Sequence, residues 1–275
     1  MERRGIARRV RSVLTVLFGL IYLFPLYIAV ANSFKPYADI VKSPLSLPAY
    51  PTMENFVEAF HSSNIAALYG TSILITFSSV AMLILISSTA AYVIIRRNNR
   101  FCKFLYAFAL IGIMVPPVVT LVPSIKTLSM LHLLYKPSGL LMFYGGAYFS
   151  TTIFLYTGFI NSIPVSLDES AYIDGAGTIT VFFRIIFPLL RPCTATAIIL
   201  MGMRIWNDFL NPMYILGSTA GRTITTGIYN AIGAYTSKWN LVFANVILAS
   251  FPIVVLYLSM QKQFMEGLTA GAVKG

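Results

Sequence analysis

Long apolar segments dominate the chain, and short stretches that contain polar and charged residues separate them. A transmembrane helix needs about 20 mostly apolar residues to cross a hydrocarbon core about 30 Å thick. Six segments meet this requirement, at residues 13–32, 71–95, 104–125, 140–160, 194–216 and 241–261. The pattern therefore predicts an all-α membrane protein, a single transmembrane domain over residues 1–275 with six spans.

The composition excludes most classes of water-soluble protein. Of the 275 residues, 57% are hydrophobic and only 11% are charged, whereas a soluble domain carries about 25% charged residues. An ordinary cytosolic enzyme, a disordered regulator and a secreted disulfide scaffold are therefore excluded. We expect residues 13–32 to be a retained span, because this apolar stretch is longer than the core of a typical signal peptide.

The distribution of basic residues predicts the orientation in the membrane. With six spans and both ends inside, the inner segments carry thirteen Lys and Arg residues and the outer segments carry six. Lys and Arg accumulate on the cytoplasmic side of membrane proteins, so both termini are predicted to be cytoplasmic. The net charge of +11 does not form one contiguous patch along the sequence, and we expect no nucleic-acid partner.

Prolines interrupt two parts of this pattern. The longest outer loop, residues 33–70, is predicted to be irregular in its proline-rich first half, with a short helix at residues 55–60. The third segment contains Pro116, Pro117 and Pro123, each of which removes a backbone donor and disturbs a helix. Two interpretations stay open, a kinked helix of the bundle or a bend that lines a pathway.

The inner loop at residues 161–192 is predicted to contain two short helices. Ser166 and Glu169 have the spacing of a capping box, and the helix that they begin is expected to reach Asp174 and to end at Gly175. A second helix begins at Thr178 and is predicted to end at Pro188. Its spacing places four apolar residues on one face, namely Ile179, Phe182, Phe183 and Ile186. Such a loop is a docking element or an interfacial helix that lies on lipid.

Residues 169–176 read Glu-Ser-Ala-Tyr-Ile-Asp-Gly-Ala, and Phe182, Ile185, Pro188 and Pro192 follow. This pattern resembles the EAA loop of ABC importer permeases. Ser170 stands at the second alanine of the family pattern and Phe187 at its leucine, and both changes preserve the size or the apolar character of the residue. The resemblance implies that the loop binds an ATPase subunit through Glu169, Ser170, Ala171, Asp174, Gly175, Ala176 and Pro188.

The resemblance extends over nearly the whole chain. Shorter motifs similar to those of carbohydrate permeases are Asn-Ser-Phe-Lys at residues 32–35, Ala-Ala-Tyr at 90–92, Val-Pro-Pro at 115–117 and Trp-Asn-Asp-Phe at 206–209. The ending at residues 266–275 is similar to the tail of the maltose-type second permease subunit and is expected to touch the ATPases. We therefore identify the chain as resembling a permease subunit of the carbohydrate ABC importers.

Membership of that family would imply a type I ABC importer permease fold in the plasma membrane of a bacterium or archaeon. The expected partners are a second homologous permease, two ATPase subunits, an extracytoplasmic sugar-binding protein and membrane lipid. ATP and Mg²⁺ would bind to the ATPases, and the chain itself is expected to need no cofactor and to be no enzyme. In agreement, the sequence contains no phosphate-binding loop of the G-x-x-x-x-G-K-[ST] type.

Charged residues inside the fifth segment mark candidate path residues. A charge near the middle of the bilayer costs at least about 2.5 kcal/mol, so Arg204 is expected to have a function or a partner. Asp208 follows four residues later, on the same face of a continuous helix, and could pair with it. With Trp206 and Asn207 these residues would line a sugar path, or they would join this helix to the partner subunit.

Neither a metal site nor a catalytic site is expected. His61 and His132 are the only histidines, both fall in predicted outer loops, and no arrangement of nucleophile and base is visible. The alternative function is a self-sufficient six-span channel or secondary transporter. It would need a selectivity loop or a relay of buried acids, and Asp208 is the one plausible acid within a span.

Overall fold

A computed structural model of the chain describes the backbone of residues 2–217, 221–234 and 238–272. It describes side chains at residues 11–116, 118–217, 221–230, 233 and 238–262. The side chains of the predicted ATPase-contacting tail, residues 266–275, therefore lie outside the described residues, as do those of the basic residues before position 11. Every regular element in the described backbone is helical, which confirms the predicted all-α class.

The helices follow one another with short connections. The first seven are α1 (Glu2–Ser33), α2 (Tyr37–Lys42), α3 (Glu54–Ser62), α4 (Ile65–Arg97), α5 (Arg100–Met114), α6 (Pro117–Met130) and α7 (Pro137–Ile160). Then come α8 (Ser166–Ile173), α9 (Thr178–Val181), a π-helical segment (Phe182–Ile186), α10 (Phe187–Leu189), α11 (Arg191–Trp206), α12 (Leu210–Ile215), α13 (Ile224–Ala234) and α14 (Trp239–Ala272). The short helix α3 confirms the one predicted at residues 55–60.

Three of the described helices are long and apolar enough to cross a membrane by themselves: Arg11–Ser33, Ile65–Arg97 and Trp239–Lys262. Two further pairs of helices meet the requirement together but are sharply bent, which raises the number to as many as five. Helix α7 covers the predicted fourth span and is long enough to cross a bilayer. It contains several tyrosines, hydroxyl residues and glycines and is not among the three.

The predicted third span is not one kinked helix. Helices α5 and α6 meet at Val115 and Pro116, and the chain bends by 112° between them. Pro117 is the first residue of α6. A proline costs least at that position, because the first N–H groups of a helix have no intrahelical partner. The proline pair thus ends one helix and begins the next instead of bending a continuous helix.

The predicted fifth span is also broken. Helix α11 ends at Trp206, and α12 begins at Leu210. Pro212 has no N–H to donate to the carbonyl of Asp208, four residues before it. The hydroxyl of Thr225 donates to that carbonyl at 2.7 Å instead. Sequence reasoning treated residues 194–216 as one helix because it gave no weight to Pro212.

The chain divides into two compact units, residues 1–67 with 227–252 and residues 68–226 with 253–275. In the second unit α7 lies at the centre of the core. Its first half packs through Leu140, Tyr144 and Tyr148 against residues of α4 and α11. Its second half packs through Ile153 and Tyr156 against the end of α4 and the inner loop. Helix α5 approaches α7 closely where Gly112 faces Ser150, since a Cβ at Gly112 would collide with the Ser150 hydroxyl.

In the first unit a buried asparagine joins three segments. The Asn55 side-chain amide donates to the carbonyls of Ser33 at 2.9 Å and Lys35 at 2.8 Å. Its own oxygen accepts from Asn240 Nδ2 at 2.7 Å. The Lys35 ammonium is also buried and donates to the Ser43 carbonyl at 2.9 Å. The predicted irregular outer loop is therefore held by a polar cluster beside α3.

We predict that Asn55→Asp destabilises this unit. The substitution keeps the size of the side chain, but it replaces an amide donor to two buried carbonyls with an acceptor. Leaving such groups unsatisfied costs about 1–3 kcal/mol each. Thermal unfolding of the purified protein in detergent should show a lower midpoint temperature. Glu54→Gln, a change at the neighbouring exposed position, should leave the midpoint unchanged, and equal midpoints for both variants would contradict the prediction.

Candidate functional site

The first helix of the inner loop begins without the predicted capping box. Helix α8 begins at Ser166 itself, and Val165 precedes it with no side-chain cap. The N–H groups of Asp168 and Glu169 donate to the Val165 carbonyl at 2.9 and 3.1 Å. Because the turn already starts at Pro164 and Val165, Ser166 lies inside the helix and cannot cap it. The capping-box prediction was therefore wrong, because the helix begins one residue earlier than a cap at Ser166 would require.

The end of α8 confirms the predicted stop at Gly175. Asp174 follows the last helical residue, and Gly175 adopts a φ of +82°. The Gly175 N–H donates to the Tyr172 carbonyl, and the Ala176 N–H donates to the Ala171 carbonyl, both at 3.0 Å. This pair of bonds is a Schellman motif, which satisfies the last carbonyls of a helix and needs a left-handed residue. Glycine meets that need without strain.

The second helix of the loop begins at Thr178 as predicted, but its apolar face is divided. Phe182 and Ile186 are buried, whereas Ile179 is 75% exposed and Phe183 is 45% exposed. A π-helical segment follows Val181, and in it the Phe187 N–H donates to the Phe182 carbonyl five residues earlier. Residues four apart keep the same side, since Phe182 and Ile186 are both buried while Ile179 and Phe183 are both exposed. The helix ends at Leu189, one residue beyond Pro188.

The residues that the resemblance assigned to ATPase binding are largely exposed. Ala171 is buried and Ala176 is partly buried. The exposed members of the set are Glu169, Ser170, Asp174, Gly175 and Pro188. Two large apolar side chains, Ile173 and Ile179, are 86% and 75% exposed beside them. Apolar side chains exposed next to charged ones are typical of a protein-binding surface.

Sequence reasoning missed the buried attachment of this loop. Asp168 is only 3% exposed, and its carboxylate accepts from the Tyr92 hydroxyl at 2.6 Å. The Arg96 guanidinium lies 2.8 Å from the same carboxylate and donates to the Ile163 carbonyl at 3.2 and 3.3 Å. The long sequence separation between Asp168 and its partners left no local signal for the contact.

The candidate path residues do not share one stripe. Trp206 is 5% exposed and lies beside Tyr69, with ring centroids 6.3 Å apart. Asn207 is exposed at the end of α11. Arg204 is exposed as well, with its guanidinium carbon 5.9 Å from the centre of the Tyr148 ring. Two of the four side chains therefore face away from the core of their unit, whereas Trp206 is part of its packing.

The suggested pairing of Arg204 with Asp208 is not formed. The Asp208 carboxylate accepts from the Tyr144 hydroxyl at 2.9 Å and from Asn211 Nδ2 at 2.7 Å. The pairing required a continuous helix, and α11 ends before Asp208. Asp208 therefore stabilises the break between α11 and α12. In the part of the chain whose side chains are described, no group of three or more His, Cys, Asp or Glu residues could hold a metal ion.

The break between α5 and α6 borders a cavity of about 570 Å³. Hydroxyl groups of α6, from Thr120, Ser124 and Thr127, contribute to a lining that is otherwise mostly apolar. Met142 and Phe143 of α7 form part of the opposite wall. The bend thus lies beside open space within its unit, and the interpretation of the prolines as a pathway-lining bend stays a prediction.

Known proteins match the chain over nearly its whole length. The probable starch degradation products transport system permease protein AmyC of Thermoanaerobacterium thermosulfurigenes is 31% identical over 274 residues, 100% of both chains. The melibiose/raffinose/stachyose import permease protein MelC of Bacillus subtilis is 34% identical, with 97% of each chain covered. Each of these relatives is described as a transport permease.

A solved structure gives the same fold. The crystal structure of a bacterial ABC transporter involved in the import of the acidic polysaccharide alginate contains a chain that superposes with a TM-score of 0.86. The superposition covers 96% of this chain and 98% of the other, at 21% sequence identity. Residues 83–268 match the family described as the binding-protein-dependent transport system inner membrane component. The chain with its broken helices and inner loop therefore belongs to this family of membrane-embedded transport permeases.

Proposed function

We propose that the chain is one of two permease subunits of an ATP-driven ABC importer for an oligosaccharide or a related carbohydrate. The observation that carries this proposal is the full-length match to two permeases whose names specify starch degradation products and melibiose, raffinose and stachyose. A resemblance limited to the inner loop would support an ABC importer but would not indicate the class of solute. The match extends over every helix and therefore includes the segments that would line the path of the solute.

The proposed topology has six spans and both termini in the cytoplasm. Helices α1, α4 and α14 are the straight spans, and α7 is the central one. The bent pair α5 and α6 and the broken pair α11 and α12 supply the other two crossings. The support for the orientation is the excess of Lys and Arg in the segments assigned to the inside. The membrane would be the plasma membrane of a bacterium or archaeon.

In this proposal the inner loop, residues 161–192, binds a cytoplasmic ATPase. Helix α8 and its Schellman turn present Glu169, Ser170 and Asp174 together with the exposed apolar Ile173 and Ile179. Burying such apolar side chains against a partner contributes about 25 cal/mol per Å². The ATPase subunits, two per complex, would bind ATP and Mg²⁺, so that this chain needs no cofactor and catalyses no reaction.

The remaining partners follow from the family and from the exposed polar residues. A second homologous permease would complete the pathway, and an extracytoplasmic sugar-binding protein would deliver the solute, as the description of the family suggests. Arg204 and Asn207 would face the aqueous path or the partner permease, because an unpaired charge in contact with lipid is costly. Trp206 and Asp208 would position them by fixing the end of α11.

Reconstitution tests the proposed function directly. The chain would be expressed together with the partner permease, the ATPase and the binding protein, and the purified complex would be placed in lipid vesicles. We expect co-purification of the ATPase and the second permease, and uptake of a labelled oligosaccharide that requires both ATP and the binding protein. Flux through the purified chain alone, without ATP, would favour the alternative of a channel or secondary transporter.

We predict that Gly175→Ala weakens coupling. A residue with a Cβ resists the positive φ of this turn at a cost of about 1 kcal/mol, which lowers the ratio of formed to open turn about fivefold. Uptake and binding-protein-stimulated ATP hydrolysis should fall severalfold. Gly177→Ala is the matched control, because Gly177 has a φ of −76° and free space at its Cβ position. Equal uptake by the two variants would contradict the role of the turn.

We predict that Arg204 and Asn207 are accessible to water. In a background without Cys102 and Cys193, Arg204→Cys and Asn207→Cys should react with a membrane-impermeant thiol reagent at rates that differ between ATP-bound and ATP-free complexes. Ile205→Cys is the control, because Ile205 is 3% exposed and should not react. Absence of labelling at positions 204 and 207 in both states, with assembly intact, would show that neither residue faces the path.

A further inference from the structure

The buried cluster around Asp168 connects three segments that are far apart in the sequence. Tyr92 and Arg96 belong to the last turns of α4, Ile163 lies just after α7, and Asp168 is in the first turn of α8. The Arg96 guanidinium contacts both the Asp168 carboxylate and the Ile163 carbonyl. Breaking such a buried pair by removing one partner is strongly unfavourable, because the remaining charge is left without compensation. The three segments are therefore held in one fixed arrangement.

Helix α8 depends on this cluster for its position. It has only eight residues, and isolated helices shorter than about 12 residues are marginal in water. Its buried residues are Asp168 and Ala171, while its other side chains are exposed. Ala171 offers one methyl group for packing. The directional contacts of α8 with α4 thus come from the Asp168 carboxylate and from the Tyr172 hydroxyl, which lies 3.4 Å from that of Tyr92.

Helix α4 is a long, continuous element on the other side of the contact. It has 33 residues, which is about 50 Å at 1.5 Å per residue. It has no proline and no break, in contrast to α5 with α6 and to α11 with α12. A displacement applied to its last turn would therefore reach the opposite end of the helix. Arg96 and Tyr92 are located in and near that last turn.

We propose that Asp168 acts as a positioning residue that passes the movement of α8 to helix α4 through Arg96 and Tyr92. This inference rests on the proposed function, in which an ATPase moves the inner loop. Apolar packing between Ala171 and its neighbours permits sliding, whereas the Arg96 ion pair and the hydrogen bond from Tyr92 hold the same carboxylate at two points. When this link is lost, ATP hydrolysis continues, but less of the movement of α8 reaches the membrane helices.

The test measures solute transported per ATP hydrolysed in the reconstituted complete complex. Asp168→Asn and Arg96→Gln should each lower this ratio at least tenfold while ATP hydrolysis stays within about twofold of wild type. The double variant should lose no more than either single variant, because both remove the same link. Arg97→Gln, an equal change of charge at the exposed neighbouring position, is the control and should keep the wild-type ratio.

A purely structural role would lower uptake and hydrolysis by the same factor in the assembled complex, and that result would overturn the proposal. Wild-type ratios in the single variants, or losses that multiply in the double variant, would also overturn it. If the charge variants fail to assemble, Tyr92→Phe decides, because it keeps both charges and removes only the Tyr92 hydroxyl, with its 2.6 Å hydrogen bond to Asp168 and its 3.4 Å contact with Tyr172. We expect it to lower the ratio two- to fivefold, and an unchanged ratio would reject the link.

The same assay separates this proposal from the proposed function on which it rests. If the wild-type complex shows no ATP-dependent uptake, the importer function itself fails. If the wild-type complex transports and the Asp168 and Arg96 variants keep its ratio of solute to ATP, the importer function stands and only the link is rejected.

Discussion

Backbone hydrogen bonding is the constraint on which the rest of this structure depends. A hydrocarbon interior offers no water to an unpaired N–H or carbonyl group, so each interruption of a helix needs a substitute partner. At the break after α11, Thr225 replaces the donor that Pro212 lacks, and Asn211 and Tyr144 hold the Asp208 side chain. The chain can therefore bend within an apolar region without leaving its backbone unsatisfied.

A second consequence of the same constraint is the polar character of α7. This helix lies in the core of its unit although it carries buried Tyr144, Thr152 and Tyr156. Each hydroxyl has a partner on the protein: Asp208, the carbonyl of Tyr148, and Thr194, respectively. Hydroxyl-rich helices pack closely and bond to their neighbours where lipid provides no hydrophobic force between helices. A span with several buried hydroxyl side chains is therefore the one that organises the core.

Sequence reasoning succeeded where the signal is local and failed where it depends on distant partners. Apolar segments located the long helices, and Gly175 located the end of α8. The break at residues 207–209 was missed, because Pro212 was given no weight and the contacts that hold the break, from Thr225 and Tyr144, lie far away in the sequence. The divided face of the second loop helix was missed as well, since the residues that become buried there are chosen by contacts with α4 and α7 and not by helical periodicity. The Asp168 cluster was missed because its buried charge is compensated by residues of another helix, which lie far away in the sequence.

The exposure of α1 has a consequence for how freely the chain can vary. Every side chain from residue 11 to residue 26 is exposed, and most of them are large and apolar. Such positions need hydrophobicity and length but no particular shape, because no part of the chain that the structure describes buries them. Exchange among Leu, Ile, Val and Phe is nearly neutral there, whereas a methylene lost from Ile153 or Leu140 would leave a cavity. The first helix can drift in evolution while the core helix stays fixed.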